Sequence, residues 1–239
     1  IFKNAAKRLS QVKTDLIVKV EEEDRSDDFT REQAHTFYEP PATLAFDHDQ
    51  WATRLRKISA IAREFPDIYS SNVTVGAYAG TRYMATSEGA RLQTAERRYR
   101  VTMSAGTKAE DGMELSQFSD FNAASPDRLP DDATIETAFR GVIKQVLALR
   151  AAPLAEPYIG PAILRNRASG VFFHEIFGHR IEGHRQKDVT EGQTFTKKLN
   201  QYVLPTYISV HDHPTLALLG DIDLLGHNDF DDEGVASSN

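Results

Sequence analysis

The side chains that can bind a metal and move protons are concentrated in one short segment. Residues 170–185 read GVFFHEIFGHRIEGHR, so three of the eight histidines fall within eleven residues and alternate with two glutamates. Neutral imidazole is a common zinc ligand, and a carboxylate beside it can take a proton from zinc-bound water. We therefore predict that His174 and His179 bind Zn²⁺ and that Glu175 is the general base.

The spacing of the two histidines differs from the common zinc peptidase motif H-E-x-x-H, which places both on one helix face. His179 lies five residues after His174. At about 100° per residue, this spacing separates the side chains by about 140° on a regular α-helix. The two can share one metal only where the helix is locally widened or broken. A π-bulge adds one residue to a turn, and we predict this distortion at Gly178.

The alternative interpretation of this segment is an ordinary helix with surface or capping histidines. The density of His and Glu, together with the apolar residues 171–173 that would bury the segment, favours metal binding instead. His184 is a possible further ligand, although a solvent-facing position at the end of the helix is the simpler interpretation. Arg180 and Glu182 flank the motif, and either could hold an imidazole in the orientation that a metal requires.

Composition limits the class of protein. The chain has 239 residues, of which 40% are hydrophobic and 26% charged, and this balance provides enough apolar material for a core. The net charge of −7 argues against direct binding of nucleic acid, for which a basic face is expected. The chain contains no cysteine, so these residues hold no disulfide, thiolate zinc site or cysteine nucleophile.

Other classes lack their characteristic sequence. No Gly-rich phosphate loop and no G-x-S-x-G segment is present, so nucleotide binding and serine hydrolase chemistry have no support. No apolar run approaches the ~20 residues that cross a bilayer, and the first residues lack a signal-peptide pattern. We expect no membrane partner and a cytoplasmic location.

Hydrophobic periodicity predicts the elements that must position the motif. Helices are predicted over 1–13, 49–65 and 135–149. The second is expected to begin at Asp47 or Asp49 and to end at Pro66. Alternating residues from 68 to 121 indicate an antiparallel meander. Its turns are predicted at Gly80, Gly89, Gly106 and Gly112. Further strands are predicted at 16–20, 159–164, 203–210 and 215–219.

This order of elements indicates an α+β fold, with N-terminal helices packed on an antiparallel sheet. We place an N-terminal α+β domain at residues 1–152. Residues 153–239 are predicted to form the motif helix and the start of a β-rich C-terminal domain that is incomplete. Since the chain begins with Ile1 rather than Met and stops just after an acidic cluster, we expect it to be a piece of a longer polypeptide.

The motif segment resembles the core of the TldD/PmbA family of metallopeptidases. The similarity covers residues 158–161 and 168–186, and the family's H-E-x-x-x-H motif is matched by His174, Glu175 and His179. The sequence Asp-Asp-Glu-Gly at 231–234 resembles a second family segment. A weaker similarity links residues 83–89 to an N-S-x-G turn of the family's N-terminal domain. These matches follow the family's order and span roughly residues 83–235.

The resemblance implies a zinc-dependent peptidase that acts on peptides or unfolded segments inside a dimer. The dimer would be a homodimer or a heterodimer with a related subunit. By resemblance, His174 and His179 would bind zinc and Glu175 would be the base. PmbA-type partners lack the metal motif, so this chain is similar to the catalytic TldD type.

One departure from the family concerns the third zinc ligand, which is a cysteine in the family's C-terminal domain. This chain has no cysteine. If the natural protein continues beyond Asn239, the cysteine would lie there. If it does not, Glu182, His184 or a residue of 211–213 would have to take its place.

Two functions therefore remain open. The first is a zinc metallopeptidase in which Glu175 deprotonates zinc-bound water that attacks a peptide carbonyl. The second is a non-catalytic partner or regulatory binding subunit with an incomplete metal site. We interpret the acidic cluster at 229–233 as a solvated turn, with a site for a hard cation as the alternative.

Overall fold

The structure is a computed structural model that describes residues 2–18, 31–187 and 192–238. The chain divides into two compact units. One consists of Ile1–Thr30 and Ile159–Val210, and the other of Arg31–Tyr158 and His211–Asn239. The combination of helices and strands confirms the predicted α+β class. The predicted domain boundary between residues 152 and 153 stays a prediction.

A four-stranded sheet organises the second unit. Its strands are β1 (Thr36–Tyr38), β2 (Ser70–Ala85), β3 (Arg91–Lys108) and β4 (Glu114–Ala123). The central strand is β3, which pairs antiparallel with β2 on one side and with β4 on the other. The short β1 pairs parallel with the start of β3. The meander of β2, β3 and β4 is therefore confirmed, whereas β1 makes the sheet mixed rather than purely antiparallel.

Two of the four glycines predicted at turns connect the strands. Gly89 and Gly112 have φ values of 101° and 89°, in the region that glycine adopts most easily. Gly80 and Gly106 instead lie inside β2 and β3, so their prediction as turn residues is wrong. Both strands continue through these positions because the ladder between β2 and β3 is unbroken from Ser70 to Ala85.

Two helices cover one face of the sheet. They are α2 (His48–Ser59), which continues as a 3-10 helix over Ala60–Glu64, and α3 (Asp132–Ala151). Each begins at an aspartate whose side chain accepts a backbone N–H three residues later, at 2.9 Å for Asp47 and 2.8 Å for Asp131. The helices predicted at 49–65 and 135–149 are thus confirmed.

The hydrophobic core lies between these helices and the odd-numbered face of the sheet. Ile58 of α2, Phe139 and Ile143 of α3, and Val101 and Met103 of β3 are each 0% exposed. Since neighbouring residues of a strand point to opposite faces, the even-numbered residues in the middle of β2 and β3 form the other face of the sheet.

The remaining unit contains one long helix and the short helices that carry the motif. They are α1 (Phe2–Val18), α4 (Asn166–Phe173), a π-helical turn (His174–Gly178), α5 (His179–Ile181) and α6 (Gly183–Lys187). The helix predicted at 1–13 is confirmed from Phe2 onward and extends to Val18, whereas Ile1 lies outside the described residues. The strand predicted at 16–20 is wrong for residues 16–18, which continue this helix, and residues 19 and 20 lie outside the described residues.

The other strand predictions fail for a common reason. Residues 159–164 and 203–210 form no strand, and the prediction at 215–219 reduces to β5 (Leu218–Leu219), paired with β6 (Ile222–Asp223). A strand needs a hydrogen-bonding partner and a buried face. Ile159, Ile163 and Tyr207 are instead between 85% and 102% exposed. The expectation of a β-rich domain after residue 153 stays a prediction, and the strands that the structure describes in that part of the chain are β5 and β6.

Candidate metal centre

The helix that carries the two histidines changes its winding where the spacing predicts. α4 ends at Phe173, and His174–Gly178 form a π-helical turn before α5 begins. The backbone N–H of His179 donates to the carbonyl of His174, five residues earlier. This hydrogen bond defines a π turn, which contains one residue more than an α turn. The predicted π-bulge is confirmed, with Gly178 as its last residue.

The additional residue brings the two imidazoles onto the same side of the helix. Their ring centroids are 4.3 Å apart and their planes are inclined at 69°. His174, Glu175 and His179 each offer one ligand atom, and these three atoms lie within 4.8 Å of one another. Two imidazole nitrogens and a carboxylate oxygen are donors that zinc accepts. The residues present therefore fit a zinc ion, and among the described residues they are the one group of three such side chains.

The group lies open to solvent. His174 and Glu175 are exposed, and the side chain of His179 is 33% exposed. The apolar residues Phe172 and Phe173, which we expected to bury the segment, are 44% and 39% exposed. That expectation is wrong for this part of the chain, because the described residues of the unit leave both rings partly uncovered. A ligand can reach the three donor groups from solvent.

Glu182 holds the second histidine through its carboxylate. Its Oε1 lies 2.7 Å from His179 Nδ1, and its Oε2 accepts a hydrogen bond from Arg185 Nε at 2.7 Å. The hydrogen bonds from Arg185 and then from His179 lower the pKa of Glu182 below its ordinary value. A carboxylate at Nδ1 favours the tautomer that carries a proton there, which leaves Nε2 available to a metal. This geometry is the one expected of a residue that orients a ligand.

Arg180 and His184, which lie beside the motif in sequence, make different contacts. Arg180 donates toward Thr194 Oγ1 at 3.5 Å, and its carbonyl accepts from Gln186 Nε2 at 2.8 Å, so it braces the following loop rather than an imidazole. The side chain of His184 is 69% exposed, and its Nε2 atom lies 3.7 Å from Glu182 Oε2. This position fits the solvent-facing interpretation.

Arg185 is the partner that the sequence reasoning missed. It follows Glu182 by three residues, across the break between α5 and α6. The same spacing separates His179 from Glu182. A search for charged residues three positions from each histidine and then from Glu182 would have found both contacts.

The acidic cluster folds into a turn. The Oδ1 atom of Asp231 accepts two backbone N–H groups, from two and four residues later, both at 2.9 Å. Asp232 pairs with Arg82 of β2 at 2.9 Å, and Gly234 has a φ of 86°. The carboxylate of Asp231 thus holds the backbone of the turn, as the simpler interpretation predicted. Residues 211–213 belong to the same unit as this turn, and a third zinc ligand from there stays a prediction.

Comparison with known proteins adds one finding to this geometry. Residues 158–239 match the family described as PmbA/TldA metallopeptidase C-terminal domain. The matched part contains the His-Glu-His group and the acidic turn, so the resemblance to the TldD/PmbA family is confirmed there. No curated protein and no solved structure matches the chain.

Proposed function

Because residues 158–239 match the PmbA/TldA metallopeptidase C-terminal domain family, we propose that the protein is a zinc-dependent metallopeptidase of the TldD type. Its proposed substrates are peptides or unfolded segments of proteins. The observation that carries the proposal is the convergence of His174, Glu175 and His179 on a π-helical turn.

In this proposal each residue of the group has one task. His174 and His179 hold the metal, and Glu182 keeps the imidazole of His179 in orientation. A bound zinc ion would polarise the scissile carbonyl and lower the pKa of water to about 7. Glu175 accepts the proton of the attacking water at a carboxylate oxygen as the water oxygen bonds to the carbonyl carbon. It then gives that proton to the amine that leaves when the C–N bond breaks.

The ligand set is the feature that separates this proposal from its alternative. Catalytic zinc sites usually have three protein ligands. If Glu175 is the base, the two histidines need a further ligand from outside the group. With that ligand the site is complete; without it the second candidate function applies, a non-catalytic partner or regulatory subunit with an incomplete site.

Zinc content and peptide hydrolysis, measured together, test the proposal. We expect about one zinc per chain in the wild type and in Glu175→Gln, and little in His174→Ala. Hydrolysis is expected in the wild type and should fall by about 10²-fold or more in Glu175→Gln. His48→Ala, which removes a histidine of α2 whose side chain is 85% exposed, is the matched control and keeps both properties.

The two candidate functions predict different results. Zinc bound at His174 without hydrolysis of any peptide by the wild type would favour the non-catalytic subunit. Hydrolysis that persists in Glu175→Gln would contradict the role of this residue as base. Equal zinc content in the wild type and in His174→Ala would contradict the metal site itself.

Further parts of the proposal concern the setting of the enzyme. We propose a dimer, either of identical chains or with a related subunit, a cytoplasmic location, and no direct partner among nucleic acids or membranes. The net charge of −7 supports the statement about nucleic acids. In the described residues no helix is long and apolar enough to cross a membrane. Light scattering coupled to size exclusion would test the dimer.

A further inference from the structure

The face of the sheet opposite the core helices carries a cleft that the proposed chemistry does not use. Its volume is about 940 Å³, and it lies between strands β2, β3 and β4 and a wall formed by residues 213–227. Ligand sites of proteins commonly enclose about 300–1,000 Å³. The cleft is therefore large enough for a peptide of a few residues.

Two arginines form the floor of this cleft. Arg98 and Arg100 lie two residues apart on β3, so their side chains leave the same face of the sheet. In the neighbouring strands, Gly76 and Asn122 stand directly opposite Arg100. A Cβ atom placed on Gly76 would meet no atom within 4 Å. Gly76 thus leaves open space beside Arg100.

The protein orients these arginines without using all of their donors. Arg100 Nη2 donates to Asp120 Oδ2 at 3.1 Å, and the side chain of Asp120 is only 3% exposed. Within the described part of the chain, the other N–H groups of Arg100 have no partner. The Cζ atom of Arg98 lies 5.7 Å from the ring centroid of Tyr78. Its Nη2 atom lies 3.5 Å from Glu96 Oε1 in an exposed ion pair. Exposed pairs of this kind are weak, so a ligand can compete for Arg98.

The wall of the cleft is held against the sheet by a buried carboxylate. Asp223 accepts the backbone N–H of Ala124 at 2.9 Å and Arg128 Nε at 2.8 Å. Its charge is therefore neutralised by Arg128 and does not oppose an anion in the cleft. The same wall contributes the apolar side chains Leu216 and Leu224. Because the wall is already anchored, little chain ordering would be needed on binding.

We propose that this cleft binds a short peptide through its C-terminal carboxylate. Arg98 and Arg100 donate to the carboxylate, since the planar guanidinium fork matches the geometry of its two oxygens. The leucines of the wall contact the apolar side chains of the peptide. The choice of a peptide as the carrier of the carboxylate rests on the proposed peptidase function. A phosphate group would meet the same two arginines, so the test includes it.

The experiment measures binding by isothermal titration calorimetry on the full chain carrying Glu175→Gln, which prevents consumption of the peptide. The ligands are Ala-Leu-Ala-Leu with a free C-terminus, the same peptide as its C-terminal amide, and inorganic phosphate. We expect one free-acid peptide per chain and an amide that binds at least about tenfold more weakly. Inorganic phosphate should not displace the peptide when the two are present at equal concentration.

Two added substitutions act on the cleft in different ways. Arg98→Gln removes one donor fork, and Gly76→Val fills the space beside Arg100 while keeping both arginines. Gly76 has no left-handed φ, and valine suits a strand, so the fold should persist and circular dichroism would verify it. Each substitution should weaken binding of the free acid at least about tenfold. Arg91→Gln, on the same strand and outside the cleft, is the matched control and should leave the Kd unchanged.

The inference would be overturned by equal affinity for acid and amide, or by unchanged binding in both Arg98→Gln and Gly76→Val. Displacement of the peptide by equimolar phosphate would show that the cleft binds phosphate, and it would overturn the proposal of a peptide ligand. Hydrolysis is measured separately on the chain with Glu175 intact. If the protein hydrolyses peptides but no peptide binds in the cleft, only the inference about the cleft is contradicted. If a peptide binds in the cleft but no peptide is hydrolysed, only the proposed peptidase function is contradicted.

Discussion

The hydrogen bond from the backbone N–H of His179 to the carbonyl of His174 joins residues five apart. In an α-helix this N–H would bond to the carbonyl four residues earlier, and the two side chains would diverge by about 140°. In the π turn their ring centroids are 4.3 Å apart. The winding of the backbone, rather than the choice of side chains, therefore determines whether both histidines can approach one metal ion.

Changing the number of residues between the histidines tests this relationship. Deleting Ile176, which is 42% exposed, gives a spacing of four that a regular α-helix satisfies, so zinc binding should persist. Inserting an alanine after Phe177 gives a spacing of six, which neither an α nor a single π turn brings to one face. Zinc affinity should then fall by about 100-fold or more. Competition with a chromophoric chelator measures both variants, and wild-type affinity in the insertion variant would contradict the argument.

Substitution of Glu182 should weaken zinc binding without removing a ligand. Glu182→Ala deletes the acceptor at His179 Nδ1, and loss of such a partner typically costs about 10–100-fold in metal affinity. Glu182→Gln keeps an acceptor oxygen and should cost less. Arg180→Gln is the control, because Arg180 braces Thr194 instead of an imidazole. The absorption spectrum of the Co²⁺-substituted protein should change with Glu182→Ala alone, and an unchanged spectrum would count against an orienting role.

More of the candidate metal site than of the cleft could be predicted from the sequence. The five-residue spacing of His174 and His179 is incompatible with a shared metal on an α-helix, so the π turn followed from geometry. The position of Glu182 beside the motif likewise indicated a residue that could hold an imidazole. The cleft had no such signal. Gly76, Arg100 and Asn122 come together only through the register of three strands, which residue types along the chain do not specify.

The wrong strand predictions show the limit of local pattern. Ile159 and Tyr207 lie in segments whose composition suits a strand, yet both are exposed and unpaired in the sheets of the described chain. Strand preference measures how well a residue fits a pleated, half-buried surface. Without a neighbouring strand, that preference has no hydrogen-bonding partner to act through. By contrast, Val101 and Met103 lie in a strand with partners on both sides, and there the alternation predicted the strand correctly.

The packing of α3 on the sheet predicts a large effect of truncating Phe139. This side chain is 0% exposed and belongs to the core formed with Ile58 and Met103. Phe139→Ala removes most of a buried ring and should lower the free energy of unfolding by about 3–5 kcal/mol. Ile143→Val, one turn later and equally buried, should cost only about 0.5–1.5 kcal/mol. Urea unfolding followed by circular dichroism compares the two, and equal losses would contradict the assigned packing.

The ion pair between Asp223 and Arg128 predicts how stability depends on pH. The hydrogen bond from Arg128 lowers the pKa of Asp223 below its ordinary value, and the carboxylate is only 8% exposed. The carboxylate of Asp223 therefore binds a proton more weakly in the folded protein than in the unfolded chain, in which the pKa of an aspartate is about 3.9. The stabilisation is fully present above that pH and is lost as the pH falls through the lower, folded-state pKa.

Asp223→Asn should therefore lower the Tm at pH 7 by about 2–5 °C. The difference from the wild type should shrink as the pH falls below about 3.9, because the wild-type carboxyl then becomes neutral as well. Asp221→Asn is the matched control, since Arg128 contacts the backbone carbonyl of Asp221 and not its side chain. Differential scanning calorimetry from pH 7 to pH 3 measures both variants. A Tm difference for Asp223→Asn that stays constant across this range would show that the loss comes from packing rather than from the charge of the carboxylate.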